Sequence, residues 1–305
     1  MKKLLFFIAT GFFITASAQD NVQYKVLEDN PLRACNFAMG IEMAQLDFGF
    51  KNIDGISFST GVWGFADYKH HVGADYILRY GYLSLGRLRD PDLKSHRQIE
   101  LGGYLILKKG MVNRTNRVVL KVEKDATTET TTYVMVPSTQ FLTTGLRAGL
   151  MDYGGVLTMP ESESGPDVVN YNVIGFYGGF FKERTRELLI STDKYGKKGI
   201  SLHSKFFLDA MVAPVSKVSL AGTDYKSAFK VIPVGARMGI SWYPVLTRKE
   251  ARPDFKGRRF MFQTEVGYRP YDGLFLTGTL SIPITRHIEK LSDGSDKVKV
   301  DTEKE

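Results

Sequence analysis

The chain has 305 residues, a formal charge of +8, one cysteine and a hydrophobic fraction of 43%. A single thiol excludes an intrachain disulfide and any metal or redox centre built on paired cysteines, so Cys35 reads as a small apolar residue. Beyond the N-terminal segment no run of about 18 apolar residues occurs, which excludes a spanning helix. Spanning strands stay open, because alternation hides them from a hydropathy average.

Lys2 and Lys3 precede an apolar run from Leu4 to Ala16, which ends on the small-x-small site Ala16-Ser17-Ala18. This three-part layout predicts a cleavable secretory signal over residues 1–18 and a mature chain starting at Gln19. Without Lys2 and Lys3 the charge falls from +8 to +6. No Lys/Arg run exceeds two residues, so the charge is expected on turns and in a polar interior, with no nucleic-acid partner.

Strands are expected near 40–50 and 55–66, followed by a clearer period of two. Tyr76, Leu78, Tyr80 and Tyr82 oppose Arg79 and Gly81, and Ile99, Leu101, Leu105 and Leu107 oppose Glu100 and Tyr104. Residues 117–137 are expected to add one or two strands around the threonine-rich tip from Thr127 to Thr132. Leu142, Leu146, Ala148 and Leu150 oppose Thr143 and Arg147, and another strand is placed near 170–182.

The C-terminal half alternates most cleanly. Ile200, Leu202, Phe206, Leu208, Ala210 and Val212 share one face, against His203, Lys205, Asp209 and Met211 on the other. The same split follows in Ile232–Trp242 around Arg237, in Phe260–Tyr268 around Glu265, and in Leu274–Ile284 around Thr277 and Thr279. Asp54-Gly55 and Asp272-Gly273 supply the positive φ of tight turns, while 87–96, 152–168, 184–198 and 214–228 read as longer polar loops. Pro233 and Pro283 fall inside strand patterns, where a missing N–H is a liability. No helical period stands out. After Arg286 the chain turns Glu/Lys/Asp-rich and reads as a charged disordered tail.

Together the signal, the alternating strands such as Ile200–Val212, the aromatic strand ends Trp242-Tyr243 and Tyr268, and the last strand Leu274–Ile284 resemble the Gram-negative outer-membrane β-barrel family. The resemblance spans residues 36–285 and is architectural. It implies an all-β fold, an antiparallel transmembrane β-barrel of about 10–12 strands, preceded by a periplasmic segment over 19–35 and followed by the tail 286–305. It implies outer-membrane localisation and contact with outer-membrane lipid, and says little about function, since such barrels serve many roles.

If the apolar face meets lipid, Arg79, Glu100, Arg147, Lys205, Asp209, Arg237 and Glu265 line the lumen, where both signs of charge can neutralise one another. The favoured reading is a non-enzymatic barrel with a largely filled lumen, a surface-binding or assembly component acting through loops such as Met159–Val169. A small passive pore for polar solutes and a soluble periplasmic ligand-binding β protein are the alternatives. No catalytic, cofactor or metal residue is assigned. His203-Ser204 would point to opposite faces of one strand, His70, His71 and Asp67 form only a turn cluster, and the glycine pairs at 102–103, 154–155 and 178–179 read as bends or close wall packing. Arg258 and Arg259, beside Phe260, are expected to meet lipid phosphates.

Overall fold

The computed structural model describes residues 14–19, 22–31, 37–49, 56–68, 70–84, 96–124, 128–159, 168–229, 232–243, 260–271 and 273–284. Its strands are β1 (Ile14–Gln19), β2 (Tyr24–Asp29), β3 (Phe37–Gly49), β4 (Ile56–Tyr68), β5 (Val72–Ser84), β6 (Arg97–Lys124), β7 (Thr128–Thr158), β8 (Val168–Thr192), β9 (Gly196–Leu220), β10 (Thr223–Asp224), β11 (Val234–Tyr243), β12 (Met261–Arg269) and β13 (Gly273–Pro283). No α-helix occurs among the described residues, and a short 3₁₀ turn, Lys226–Ala228, follows β10.

Ten strands close a ring by antiparallel pairing in the order β3-β4-β5-β6-β7-β8-β9-β11-β12-β13, with β13 returning to β3. The fold is thus all-β, an antiparallel sheet whose backbone hydrogen bonds run round on themselves and leave the ring no open edge. Residues 117–137 add no strand of their own. Arg117 pairs with Met135 and Glu123 with Thr130, so this stretch is the outward continuation of β6 and β7.

Two hairpins outrun the ring. β11 ends level with His203, whereas β8 and β9 continue beyond Thr185–His203 to a turn at residues 193–195. The loop expected over 184–198 is therefore almost all strand. Leu188 and Ile190 supply the reason, being buried with Val118, Leu120, Val134 and Val136 in a small core outside the ring. The loop expected over 214–228 is likewise strand up to Leu220, because Val218 is buried in the main apolar cluster; the turn comes at Ala221 and Gly222, with φ of 46° and 87°. The loop placed at 152–168 is entered only after Thr158 and left by Val168. Asp54-Gly55, most of 87–96, Arg258, Arg259 and the tail 286–305 lie outside the described residues.

Beyond the ring β7 and β8 part company. Their pairing ends at Gln140 and Arg186; farther out β1 pairs in parallel with residues 128–133 of β7, and β2 pairs with residues 188–192 of β8. Pro137 sits in the gap between the two neighbours of β7, where a missing N–H breaks no ladder on that side. Pro233 precedes β11 and Pro283 ends β13, so neither interrupts a ladder.

Candidate functional site: the charged interior

Each ring strand sends alternate side chains to opposite faces, and here the polarity of a soluble protein is reversed. Leu105, Leu146, Leu150, Phe176, Leu208, Val212, Val234, Met238, Phe262, Leu274 and others are exposed, while Glu42, Arg79, Gln98, Glu100, Asp209, Arg237, Glu265 and Arg269 are buried. The charges expected to line a lumen all fall on the inward face. Arg79, Glu100, Arg147, Asp209, Arg237 and Glu265 are buried, and the Lys205 side chain is 14% exposed.

These residues form three linked groups. At the centre Arg237 donates to both carboxylate oxygens of Glu100, at 2.6 and 2.8 Å, to Asp209 at 3.0 Å and to Glu265 at 3.4 Å. The Tyr153 hydroxyl also donates to Glu100, and Gln98 donates to the same carboxylate at 2.7 Å. Beside it Arg79 donates to both oxygens of Glu42, at 2.6 and 2.8 Å, and to Gln98 at 3.0 Å. Gln98 therefore ties the Arg79 group to the Arg237 group.

Arg147 joins the third group, 3.6 Å from Asp209 and 3.8 Å from Asp75, and Lys205 bridges Asp75 at 3.6 Å and Glu183 at 3.2 Å. A separate pair, Arg269 and Asp47 at 2.7 Å, lies near His96. Aromatic faces complete the packing. Arg147 lies 4.6 Å from the Phe207 ring centroid, Lys205 4.9 Å from that of Tyr104, and Arg269 3.9 Å from that of Phe275.

Ion pairs this buried need their remaining polar atoms satisfied, otherwise desolvation outweighs attraction. The bidentate Arg79 and Arg237 contacts with amide and phenol partners meet that demand. An apolar cluster containing Met151, Tyr153, Val173, Tyr177, Met211 and Phe275 packs within the fold. A cavity of about 70 Å³ remains among the charges, bordered by Trp63, Phe65, Asp75, Lys205, Met261 and Gln263 together with Glu100 and Arg237. The close wall packing expected of the glycines is visible at Gly179, where a Cβ would lie 2.0 Å from the Leu208 carbonyl and 2.6 Å from Asp209 Oδ1. Its neighbour Gly178 faces the outside with space to spare.

His203 is buried and lies 3.7 Å from Glu183, whereas Ser204, the next residue, is on the outward face of the strand. The two do not share a surface. Asp67 caps the turn at His70: its carboxylate accepts from the His70 backbone N–H at 2.8 Å, and the φ of His70 is 53°. Among the described residues no group of three or more His, Cys, Asp or Glu side chains is placed to hold a metal ion. Glu42, Asp47, Asp75, Gln98, Tyr153, Glu183 and Arg269 belong to the interior and were absent from the sequence expectations. For Glu42 and Asp47 the alternation is broken by an irregularity between Glu42 and Gln45, which moves the inward face from even to odd positions.

No protein-family model and no curated protein matches this chain.

Proposed function

We propose that the chain is a non-enzymatic outer-membrane β-barrel, exported by the signal over residues 1–18, whose interior is closed and which acts through the parts it presents beyond the ring. The reversal of polarity carries this reading. A soluble protein would need its exposed leucines, phenylalanines and valines covered, whereas lipid is a fitting solvent for a closed ring of strands with no open edge.

The dimensions support the same reading. On β8 the outward residues Ile174, Phe176, Gly178 and Phe180 are apolar or small, bounded by Asn172 at one end and Lys182 and Arg184 at the other. The stretch from Asn172 to Arg184 covers about 40 Å of extended chain. Tilted by about 45°, it spans about 28 Å, close to the ~30 Å hydrocarbon thickness of a bilayer. Trp242, in register with Ser204 and through it with Arg184, stands at the boundary that tryptophan favours.

Closure of the interior favours binding or assembly over transport. The projecting β6–β7 and β8–β9 hairpins, with their own small core, are the structured surfaces available to a partner. On this reading removal of residues 1–18 takes most of β1 with it, leaving the β7 edge from Thr128 to Tyr133 open to another strand. Met159 and Val169, which bound the loop expected to be dispensable, are both buried. A deletion that tests that loop must therefore be confined to 160–167.

The deciding test folds the mature protein into phosphatidylcholine vesicles, verifies folding by unheated gel mobility, and records planar-bilayer currents. Detergent-dependent extraction, folded mobility and no stepwise current are expected. Release into plain aqueous buffer would overturn the membrane reading, and stepwise ohmic currents would move the assignment to a small pore for polar solutes.

A further inference from the structure

The outer wall is not uniformly covered with large side chains. Hydrogen-bonded neighbours Gly103, Ala148, Gly178, Ala210 and Ala236, on five successive ring strands, form one lateral row of small outward residues. Two positions along the strands on one side runs the bulky row Leu105, Leu146, Phe180, Leu208 and Met238; on the other runs Leu101, Leu150, Phe176, Val212 and Val234. Over the small row, walled by Leu105, Leu146, Phe180 and Leu208 of the first bulky row, lies an open apolar trough of about 960 Å³. Packing inside the ring does not require its small floor at Gly178: a Cβ there would meet only the Arg147 carbonyl, at 3.7 Å.

A trough of small residues by itself is only a shape, but the charges farther out on the same face give it a direction. Continuing outward along β8 from Phe180, the next residues on that face are Lys182, Arg184 and Arg186. Thr144 pairs with both Lys182 and Lys108, which brings two ammonium groups onto one row. Arg114 is near enough to Arg186 to repel it, as is Arg184.

Arg186 lies where β7 and β8 separate, one row beyond the end of β11 and so past the apolar belt. Partial burial, then the charges of Arg184 and Arg114, hold its guanidinium below the usual arginine range. Its described hydrogen bond is to a neutral acceptor, Asn116 Oδ1, at 3.4 Å, and Nε is buried without a partner. Among the described residues no carboxylate forms an ion pair with Lys108, Arg114, Lys182, Arg184 or Arg186. The cluster is positive charge gathered at a fork in the wall, in contrast to the interior, where each arginine of the central groups meets a carboxylate.

We propose that this fork and the trough below it bind one anionic phospholipid, with the phosphate at Lys182, Arg184 and Arg186 and an acyl chain lying along the small-residue row. Depth supports the match. From Arg184 to Gly178 is six residues, about 20 Å along the strand, or about 14 Å along the membrane normal at a tilt of about 45°. That is about half of a ~30 Å hydrocarbon core, the reach of an acyl chain whose headgroup sits at the interface. Arginine suits the headgroup end because its planar fork holds phosphate oxygens in pairs. The occupant is a lipid because a free phosphate has no use for the trough, and a phosphorylated peptide would meet an apolar belt directly beneath its phosphate.

The inference rests on the membrane-barrel reading, and its test separates the two. Full-length mature protein, folded in detergent micelles, is titrated with phosphatidylglycerol or phosphatidylcholine and followed by native mass spectrometry. Each basic residue near an anionic surface contributes about five-fold in binding, so phosphatidylglycerol is expected to bind more tightly by at least about ten-fold. K182Q/R184Q/R186Q abolishes that preference while leaving the unheated gel mobility folded. Gly178→Leu fills the trough and weakens both lipids with the preference retained. Glycerol phosphate at the same concentration fails to compete.

Equal affinity of the folded wild type for both lipids overturns the site and leaves the barrel standing, as does full competition by glycerol phosphate. Should the triple variant fail to fold, Arg184→Gln alone serves, with a loss of about five-fold expected. Solubility of the wild type without detergent overturns the membrane reading and the site together.

Discussion

Arg237 on β11 grips both carboxylate oxygens of Glu100 on β6, 137 positions earlier in the chain and four strands away round the ring. Such a contact fixes the cross-section of the ring more firmly than any pair of neighbours could. It also sets a liability, because either partner alone is a buried charge. Arg237→Met is expected to destabilise the folded protein by about 3–5 kcal/mol, the cost of stranding a buried partner. R237M/E100Q should recover a sizeable part of that loss. Urea unfolding in vesicles measures both, and a single-variant loss under about 1 kcal/mol would mean that the pair is not isolated from water.

The outward face makes an independent claim. Leu208 lies on the bulky row beside the trough, and Ser204 four residues nearer the interface. In a bilayer Leu208→Arg should cost about 2–4 kcal/mol and Ser204→Arg about 0–1 kcal/mol, as arginine does at mid-depth and at the boundary. On the surface of a water-soluble protein both would stay within about 0.5 kcal/mol. Equal, small effects in the unfolding midpoints would remove the lipid-facing assignment.

How far the sequence showed this architecture depends on where alternation is unbroken. From Leu202 to Val212 and from Leu274 to Ile282 the side chains alternate between the faces that period two predicts, since those stretches contain no inserted residue. β3 was harder to read because the irregularity after Glu42 swaps its faces midway. The long hairpins were missed for another reason. Beyond the ring, Arg186, Lys194, Lys197 and Lys198 give β8 and β9 the composition of a loop, and the burial of Leu188 and Ile190 against Val118 and Val136 makes them strand. Partners of the interior charges could not be read at all. Arg79 meets Glu42 across β4, in the row that pairs Glu42 with Gly61 and Gly61 with Arg79, a match set by the register of two successive hairpins and not by any local pattern.

On the proposed reading the interior is closed by two barriers of different chemistry, and they can be removed separately. R237A/E100A cuts the central ion pair but leaves the apolar cluster around Met151, Val173, Tyr177 and Phe275 in place. The double variant is therefore expected to remain as silent as the wild type in planar-bilayer recordings. Stepwise currents from a folded double variant would show instead that the charged layer is the barrier, and that the apolar cluster leaves a path open.

At the fork between β7 and β8, Asp29 at the end of β2 stands in for the missing strand. Both of its oxygens accept from the Thr139 N–H, at 3.0 and 2.8 Å, and the second also accepts from the Thr139 hydroxyl at 3.1 Å. Thr139 lies between the last β7 residue paired with β1 and the first paired with β8, so no backbone carbonyl from either strand is opposite it. Asp29→Ala leaves that donor without its acceptor, a loss of about 1–3 kcal/mol where water does not replace it. The ring itself keeps all its pairings, so the loss should appear as local opening. Hydrogen exchange at Thr139 and Gln140 is expected to speed up by about ten-fold or more, with protection of Leu208 and Arg237 unchanged. Uniform acceleration across ring and hairpins would show that β2 supports the whole barrel, and no change at Thr139 would show that the carboxylate contact is not maintained in solution.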